Sequence, residues 1–246
     1  MEDTHKLTWY LIIVNVAIFL LVFSLPEPSN EWVFETFSFS YETSYQVWRW
    51  VTSLFLHASA SHLFFNMLGL FFFGKILEDE VNRQWFLAVF FISGFLGNFV
   101  FMTTSVGAVV GASGAVFGVM GAAMLLNPVK RIHLYVFPLP LGIIAITFAV
   151  FETMVVFFQP DLATGNVANI AHLGGMLTGA IFAYFHDFKR AVKGTGVLIV
   201  CILILIVLAP IFVLISGIGT FILGFVDAAF GLVLYGLADL IGMLWV

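Results

Sequence analysis

Residues 105–127 read SVGAVVGASGAVFGVMGAAMLLN. The apolar run from Ser113 to Asn127 has 15 residues and would form about 22 Å of helix, whereas a helix needs about 20 apolar residues to cross a bilayer. We therefore expect the helix to begin inside the membrane and the preceding residues to descend as irregular backbone. Such backbone is tolerated only where protein buries it or where it lines a water-filled cavity. The stretch predicts a membrane protein in which water reaches Ser113.

The composition of the whole chain agrees with a membrane location. Its 246 residues are 62% hydrophobic and 9% charged, with a mean hydropathy of +1.11, whereas soluble domains are about 45–50% apolar and about 25% charged. Nine Lys and Arg against fourteen Asp and Glu leave no basic patch for nucleic acid. One cysteine, Cys201, excludes an internal disulfide framework and a multi-thiolate metal site. A transporter, a channel, a scaffold and an enzyme all remain open on composition alone.

The hydrophobic pattern predicts an all-α polytopic fold with seven or eight spans. The candidate spans are Leu7–Leu25, Leu54–Leu77, Trp85–Thr104, Ser113–Asn127, Val136–Phe157, Val167–His186, Val197–Ser216 and, as an eighth, Thr220–Val246. The first is interpreted as an uncleaved span, because its flank is not clearly basic and a small-residue cleavage pattern is missing.

The basic residues predict the orientation of these spans. Eight of the nine Lys and Arg fall on one side, and Arg49 is the exception. Because basic residues favour the cytoplasmic side, we expect a cytoplasmic N-terminus. The aromatic-rich loop Pro26–Trp48 would then lie in the outer membrane interface, although an ordinary connector with an aromatic belt fits its composition equally well.

Four polar side chains fall at one predicted depth. Counting from the cytoplasmic border at about 1.5 Å per residue places His62 at about 24 Å, Asn66 at about 18 Å, Ser113 at about 21 Å and His172 at about 22 Å. Polar groups inside the hydrocarbon are costly and commonly functional. The shared depth on three separate helices predicts a buried site.

The residues around Ser113 and His172 indicate a chemistry for that site. Both adjoin ridges of small residues that recur every four positions, namely Gly114, Gly118 and Ala122 on one helix and Ala171, Gly175, Gly179 and Ala183 on the other. Such ridges let helices approach closely, so the serine could meet the histidine as nucleophile and base. Free amides at the helix start suit a developing oxyanion, while Gly111 and Gly114 allow a substrate backbone to come close. His62 and Asn66 share a helix face and could donate to the same oxyanion.

Taken in order, these motifs resemble the rhomboid family of intramembrane serine proteases, in its prokaryotic six-span form. The resemblance rests on Trp48-Arg49, His62-Leu-Phe-Phe-Asn66, Gly111-Ala-Ser-Gly114 and Ala171-His-Leu-Gly-Gly175, within residues 7–190. It implies a Ser113–His172 catalytic dyad with no third carboxylate, and an oxyanion hole formed by His62, Asn66 and the Ser113 amide. It further implies that Asn169 supports the site and that Phe117 stacks on the catalytic imidazole.

The resemblance also implies how such a protein would act. The substrates would be single-span membrane proteins cut near the outer membrane border, with no metal and no cofactor. The fifth span would move to admit them and residues 161–165 would cap the site. The protein would lie in a prokaryotic plasma membrane with its active site opening outward. Residues 1–190 would form the catalytic core, and residues 191–246 would be an accessory hydrophobic part without a catalytic role.

Other proteases fit the sequence less well. A metalloprotease would need histidines at a spacing such as His-Glu-x-x-His, which does not occur, and we expect His57 to be structural. An aspartyl protease would need aspartates on facing helices, but Asp227 and Asp239 fall on one candidate segment. Glu152, in the fifth candidate span, could line the water cavity or form a hydrogen bond with a neighbour, and a structural role is favoured.

Two functions without catalysis would also fit parts of the sequence. A catalytically inactive rhomboid-like protein would bind membrane clients without cutting them, but the presence of both Ser113 and His172 argues against it. A small transporter could use broken helices and a polar cluster at the membrane midplane. It would normally show related halves, and no convincing internal repeat is found.

Overall fold

The computed structural model describes residues 5–104, 107–134, 137–140, 146, 168–204 and 206–207. Most of the expected fifth span, including Glu152, lies outside these residues, as do residues 161–165 and the segment with Asp227 and Asp239. The chain forms two compact units, residues 1–199 and 200–246. In the second unit, residues 200–204 and 206–207 are helical. The expected division at residue 190 stays a prediction.

The first unit is built mainly from helices. Among the described residues these are α1 (Lys6–Ser24), α2 (Ser29–Phe37), α3 (Arg49–Thr52, continued by a 3-10 turn at Ser53–Phe55), α4 (Ala60–Glu78, π-helical at Leu70–Gly74), α5 (Arg83–Thr104), α6 (Ser113–Leu126) and α7 (Ala168–His186), followed by helical residues 188–199. Two short antiparallel strand pairs join β1 (Phe39–Ser40) to β2 (Ala108–Val109) and β3 (Arg131–Leu134) to β4 (Phe137–Pro140).

The described helices confirm an all-α polytopic membrane fold. Among them, α1, α4 and α5 are long and apolar enough to cross a membrane, with mean hydropathies of 2.3, 1.4 and 2.0. Helix α6 has only 14 residues and begins at Ser113, as its length in the sequence predicts. The described residues before it, 107–112, are not helical.

The start of the second span was predicted wrongly. The expected start was Leu54, but α4 begins at Ala60. The hydroxyl of Ser59 accepts a hydrogen bond from the His62 amide at 3.1 Å, which is the usual N-cap arrangement. Apolarity alone does not mark that boundary, because Leu54 and Leu56 are buried although they precede the helix.

The end of α4 holds the start of α1. The Glu78 carboxylate accepts hydrogen bonds from the Leu7 amide at 2.8 Å, from the Thr8 amide at 3.0 Å and from the Thr8 hydroxyl at 2.7 Å. The first amides of a helix have no partner within it, and the N-terminus favours negative charge. Gly74 allows the close approach, because a Cβ there would lie 2.9 Å from the Thr8 hydroxyl oxygen.

Helix α6 packs closely against α7 and α5. A Cβ on Gly175 or Gly179 would collide with the carbonyl oxygen of Gly114 or Gly118, and a Cβ on Gly118 would collide with Ser93 of α5. The small-residue ridges are therefore packed backbone to backbone. At the other end of α6, the Arg190 guanidinium donates to the Leu126 carbonyl at 2.9 Å and to the Glu80 carboxylate at 2.6 Å. A cation at a helix C-terminus is stabilising.

Replacing Glu78 with Ala should destabilise the protein by about 1–3 kcal/mol, because two buried amides and a hydroxyl lose their shared acceptor. Asp79→Asn is the matched control, since Asp79 lies next to Glu78 but forms a half-exposed ion pair with Lys130 at 2.9 Å. Thermal unfolding in detergent would measure both variants. A loss in Glu78→Ala no larger than that in Asp79→Asn would contradict this role for Glu78.

Candidate active site

The candidate site is built around the first turn of α6. Ser113 opens this helix, and the first helical bond there runs from the Val116 amide to the Ala112 carbonyl at 2.9 Å. The amides that precede Val116 in this turn have no acceptor within the helix and carry the positive end of its dipole. Gly111 has a φ of +119°, a conformation that favours glycine. Its amide donates to the Ser53 carbonyl at 2.8 Å.

The side chains of His62 and Asn66 reach this helix start from α4. A Cβ on Gly111 would lie 2.6 Å from Cε1 and 2.7 Å from Nε2 of His62, and 3.7 Å from Nδ2 of Asn66. Asn66 is buried, and its amide nitrogen donates to the His62 carbonyl at 3.0 Å. A carboxamide nitrogen carries two N–H groups, so this bond occupies only one of them. Two side-chain donors thus face the backbone two residues before Ser113.

His172 comes to the same place from α7. Its ring stacks on the Phe117 ring with centroids 4.4 Å apart and an interplanar angle of 3°. Phe117 lies one turn after Ser113, and Gly175, one turn after His172, packs on the carbonyl of Gly114. His172 therefore packs against the first turns of α6. Asn169 lies three residues before His172 on α7 and is buried.

The supporting residues expected in the outer loop occupy different environments. Arg49 is 7% exposed and donates to the carbonyls of Glu35 at 2.6 Å and Ser38 at 2.8 Å, whereas Trp48 is 49% exposed. The Arg49 contacts lie just before β1, whose partner β2 leads into Gly111. Arg49 thus stabilises the loop that pairs with the residues before Gly111, because its guanidinium donates to Glu35, Ser38 and Gln46 within that loop.

Two further residues, Asn98 and Ser53, support the backbone at Gly111 and were not identified from the sequence. The side-chain amide of Asn98 in α5 donates to the Ser53 hydroxyl at 3.0 Å, and both residues are buried. Ser53 in turn accepts from the Gly111 amide. Asn98 could have been identified from the sequence, because it is a polar residue within an apolar span and such residues are uncommon.

His57 lies between the 3-10 turn and α4, behind His62. It is 1% exposed, and its ring lies 5.1 Å from the His62 ring in an edge-to-face arrangement. Burial, followed by the neighbouring His62, lowers the pKa of His57 to about 4. His57 is therefore uncharged near neutral pH, and the expectation that it is a structural group stays a prediction.

Comparison with known proteins gives one family. The Rhomboid domain matches residues 44–187. RHOMBOID-like protein 1 of Arabidopsis thaliana is 35% identical over 144 residues, which are 57% of this chain and 34% of that protein. Rhomboid protease GlpG of Yersinia pseudotuberculosis is 27% identical over 195 residues, which are 77% of this chain and 66% of that protein. The chain thus spans a third of the first relative and just under two thirds of the second.

Gly111→Ala should move the His62 ring out of the site, because the added Cβ would meet the end of that flexible side chain. Gly107→Ala is a matched control, since Gly107 also has a positive φ, +130°, but a Cβ there meets nothing within 4 Å. Both variants should lose about 1–3 kcal/mol to backbone strain. Crystal structures of both variants would locate the ring, and an unmoved His62 in Gly111→Ala would contradict the contact.

Proposed function

Because the chain belongs to the rhomboid family, we propose that it is an intramembrane serine endopeptidase with Ser113 as the nucleophile and His172 as the general base. One observation carries this proposal: the His172 ring is stacked on Phe117 one turn after Ser113, while His62 and Asn66 face the backbone just before it. The matched family region contains all of these residues. The proposed pair acts without a third carboxylate.

In the proposed reaction, the Ser113 hydroxyl attacks the scissile carbonyl as His172 accepts its proton. The carbonyl oxygen gains the negative charge and receives hydrogen bonds from the Ser113 amide, His62 and Asn66. Because these donors are already held around Gly111, they need little rearrangement as the charge develops. His172 then protonates the leaving amine, and water hydrolyses the acyl-enzyme.

The supporting residues would maintain this geometry. Phe117 fixes the plane of the imidazole by stacking, and Asn169 supports the histidine from the same helix. Gly111 and Gly114 keep the helix start open to a peptide backbone. Trp48 and Arg49 belong to the outer loop, and Arg49 acts through the strand pair that leads to Gly111.

We propose single-span membrane proteins as the substrates. A site within the bilayer is open to transmembrane segments, and a segment with poor helix stability would present an extended backbone to Ser113. The proposed orientation places the N-terminus in the cytoplasm of a prokaryotic cell and opens the site outward. Two sets of contacts support it. The Leu7 amide at the start of α1 donates to Glu78 at the end of α4, and Arg190 donates to Glu80 and to the Leu126 carbonyl at the end of α6. These contacts place the start of α1 and the ends of α4 and α6, where most basic residues lie, on one side.

Replacing Ser113 with Ala should reduce cleavage of a single-span substrate by at least about 10⁴-fold, because the nucleophile is lost. Ser61→Ala is the control, since Ser61 is an exposed serine next to His62 and should keep near-normal activity. Proteoliposomes containing each purified variant would be assayed by gel analysis of the products. Full activity in Ser113→Ala would refute the proposed nucleophile, and substrate binding without cleavage by the unmodified protein would favour a client-binding function.

Phe117→Ala should lower kcat by about 10–100-fold, because a loosely held imidazole is misplaced by about 1 Å for proton transfer. Phe117→Tyr keeps the stacking ring and should retain most of the activity. Steady-state kinetics of both variants, with thermal unfolding as a check of folding, would test this. Equal activities for the two variants would show that the stacked ring does not position His172.

A further inference from the structure

A lysine at the membrane border lacks the ion pair that its sequence position offers. Lys75 lies three residues before Glu78 and four before Asp79, the usual spacings for ion pairs on a helix. The Glu78 carboxylate is instead bonded to Leu7 and Thr8, and Asp79 pairs with Lys130 at 2.9 Å. Among the described residues, Lys75 has no carboxylate partner.

The ammonium group of Lys75 lies instead on aromatic rings. It is 3.9 Å from the centre of the Phe71 ring and 5.2 Å from that of Trp9, and these two rings meet edge to face at 5.6 Å. Contact with ring faces favours the cation but supplies no hydrogen-bond acceptor oxygen. Trp9 is 39% exposed, and its indole N–H makes no hydrogen bond within the described chain. Two donors of one small patch therefore remain available to an external acceptor.

The surface next to this patch is apolar. Ile13 lies one turn after Trp9 on the same face of α1 and is exposed, as is the neighbouring Val14. A ligand that fits both parts has an anionic oxygen group at the α1 start and hydrocarbon alongside α1. A free phosphate ion would use only the first part, and a zwitterionic lipid would bring its own cation to Lys75.

We propose that Trp9, Phe71 and Lys75 form a binding site for the phosphate of an anionic phospholipid in the leaflet that faces the N-terminus of α1. The phosphate bonds to the Lys75 ammonium and the Trp9 indole, and the acyl chains follow Ile13 and Val14. The aromatic rings hold the cation in place before the lipid binds. The site goes beyond the proposed protease activity and does not depend on it.

The test uses the full chain carrying Ser113→Ala, so that binding is measured without proteolysis. Native mass spectrometry would count phosphatidylglycerol and phosphatidylcholine of matched acyl chains on this protein and its variants. Lys75→Met should weaken phosphatidylglycerol binding by about tenfold or more, because a hydrogen bond between charged groups is lost. Lys189→Met, which removes an exposed lysine predicted at the same border, should have a smaller effect, at most the roughly fivefold loss that general charge attraction gives. Phosphatidylcholine binding should not change.

A second variant tests the site without removing its charge. Trp9→Phe keeps an aromatic ring and loses the indole N–H, so it should weaken phosphatidylglycerol binding but not the folding measured by thermal unfolding. Equal losses in Lys75→Met and Lys189→Met would reduce the effect to general charge attraction and overturn the proposal. Unchanged binding in Trp9→Phe would also overturn it, as would displacement of the lipid by inorganic phosphate at equal concentration.

Discussion

The structure depends on one constraint, which is that α6 begins only at Ser113, after non-helical residues 107–112, in a chain built for a membrane. The backbone that leads to Ser113 cannot satisfy its own polar groups as a helix would, and hydrocarbon offers no partners. The protein supplies them from the outer loop and α3. Strand β1 pairs with β2, and the Ser53 carbonyl accepts from the Gly111 amide. Arg49 and Asn98 then hold the loop and the Ser53 turn in place. A structural need for hydrogen bonds thus fixes the start of the helix that carries the proposed nucleophile.

Close packing of glycines against the α6 backbone determines the position of α7, which carries His172. The contacts of Gly175 with Gly114 and of Gly179 with Gly118 define how α7 lies along α6. His172 is one turn from the first of these contacts, so its height relative to Ser113 follows from packing. The ring of Phe117 then sets the plane of the imidazole. The proposed dyad would need no charged third residue for this orientation, which would be favourable because burying a carboxylate is costly.

Much of this arrangement could be predicted from the sequence because membrane constraints are severe. The short run after Ser113 gave the helix start, and the four-residue spacing of small residues gave the close contact of α6 with α7. Helix boundaries and polar contacts between residues far apart in the sequence were harder to predict. Leu54 was expected to begin a membrane span because it is apolar. It lies in a buried 3-10 turn instead, and apolar residues occur in both kinds of structure. The bond from Glu78 to the start of α1 joins residues 70 positions apart, and no local pattern marks it. Likewise, the strand pair between β1 and β2 is too short to show any alternation in the sequence.

The proposed nucleophile can be tested directly by covalent labelling. An alkyl fluorophosphonate reacts with a serine that a neighbouring base activates, and peptide mapping by mass spectrometry locates the adduct. We expect a single adduct on Ser113 that forms in the unmodified protein and is nearly lost in His172→Ala, while thermal unfolding shows that both proteins are folded. An adduct on another serine, or labelling of Ser113 at an unchanged rate without His172, would contradict it.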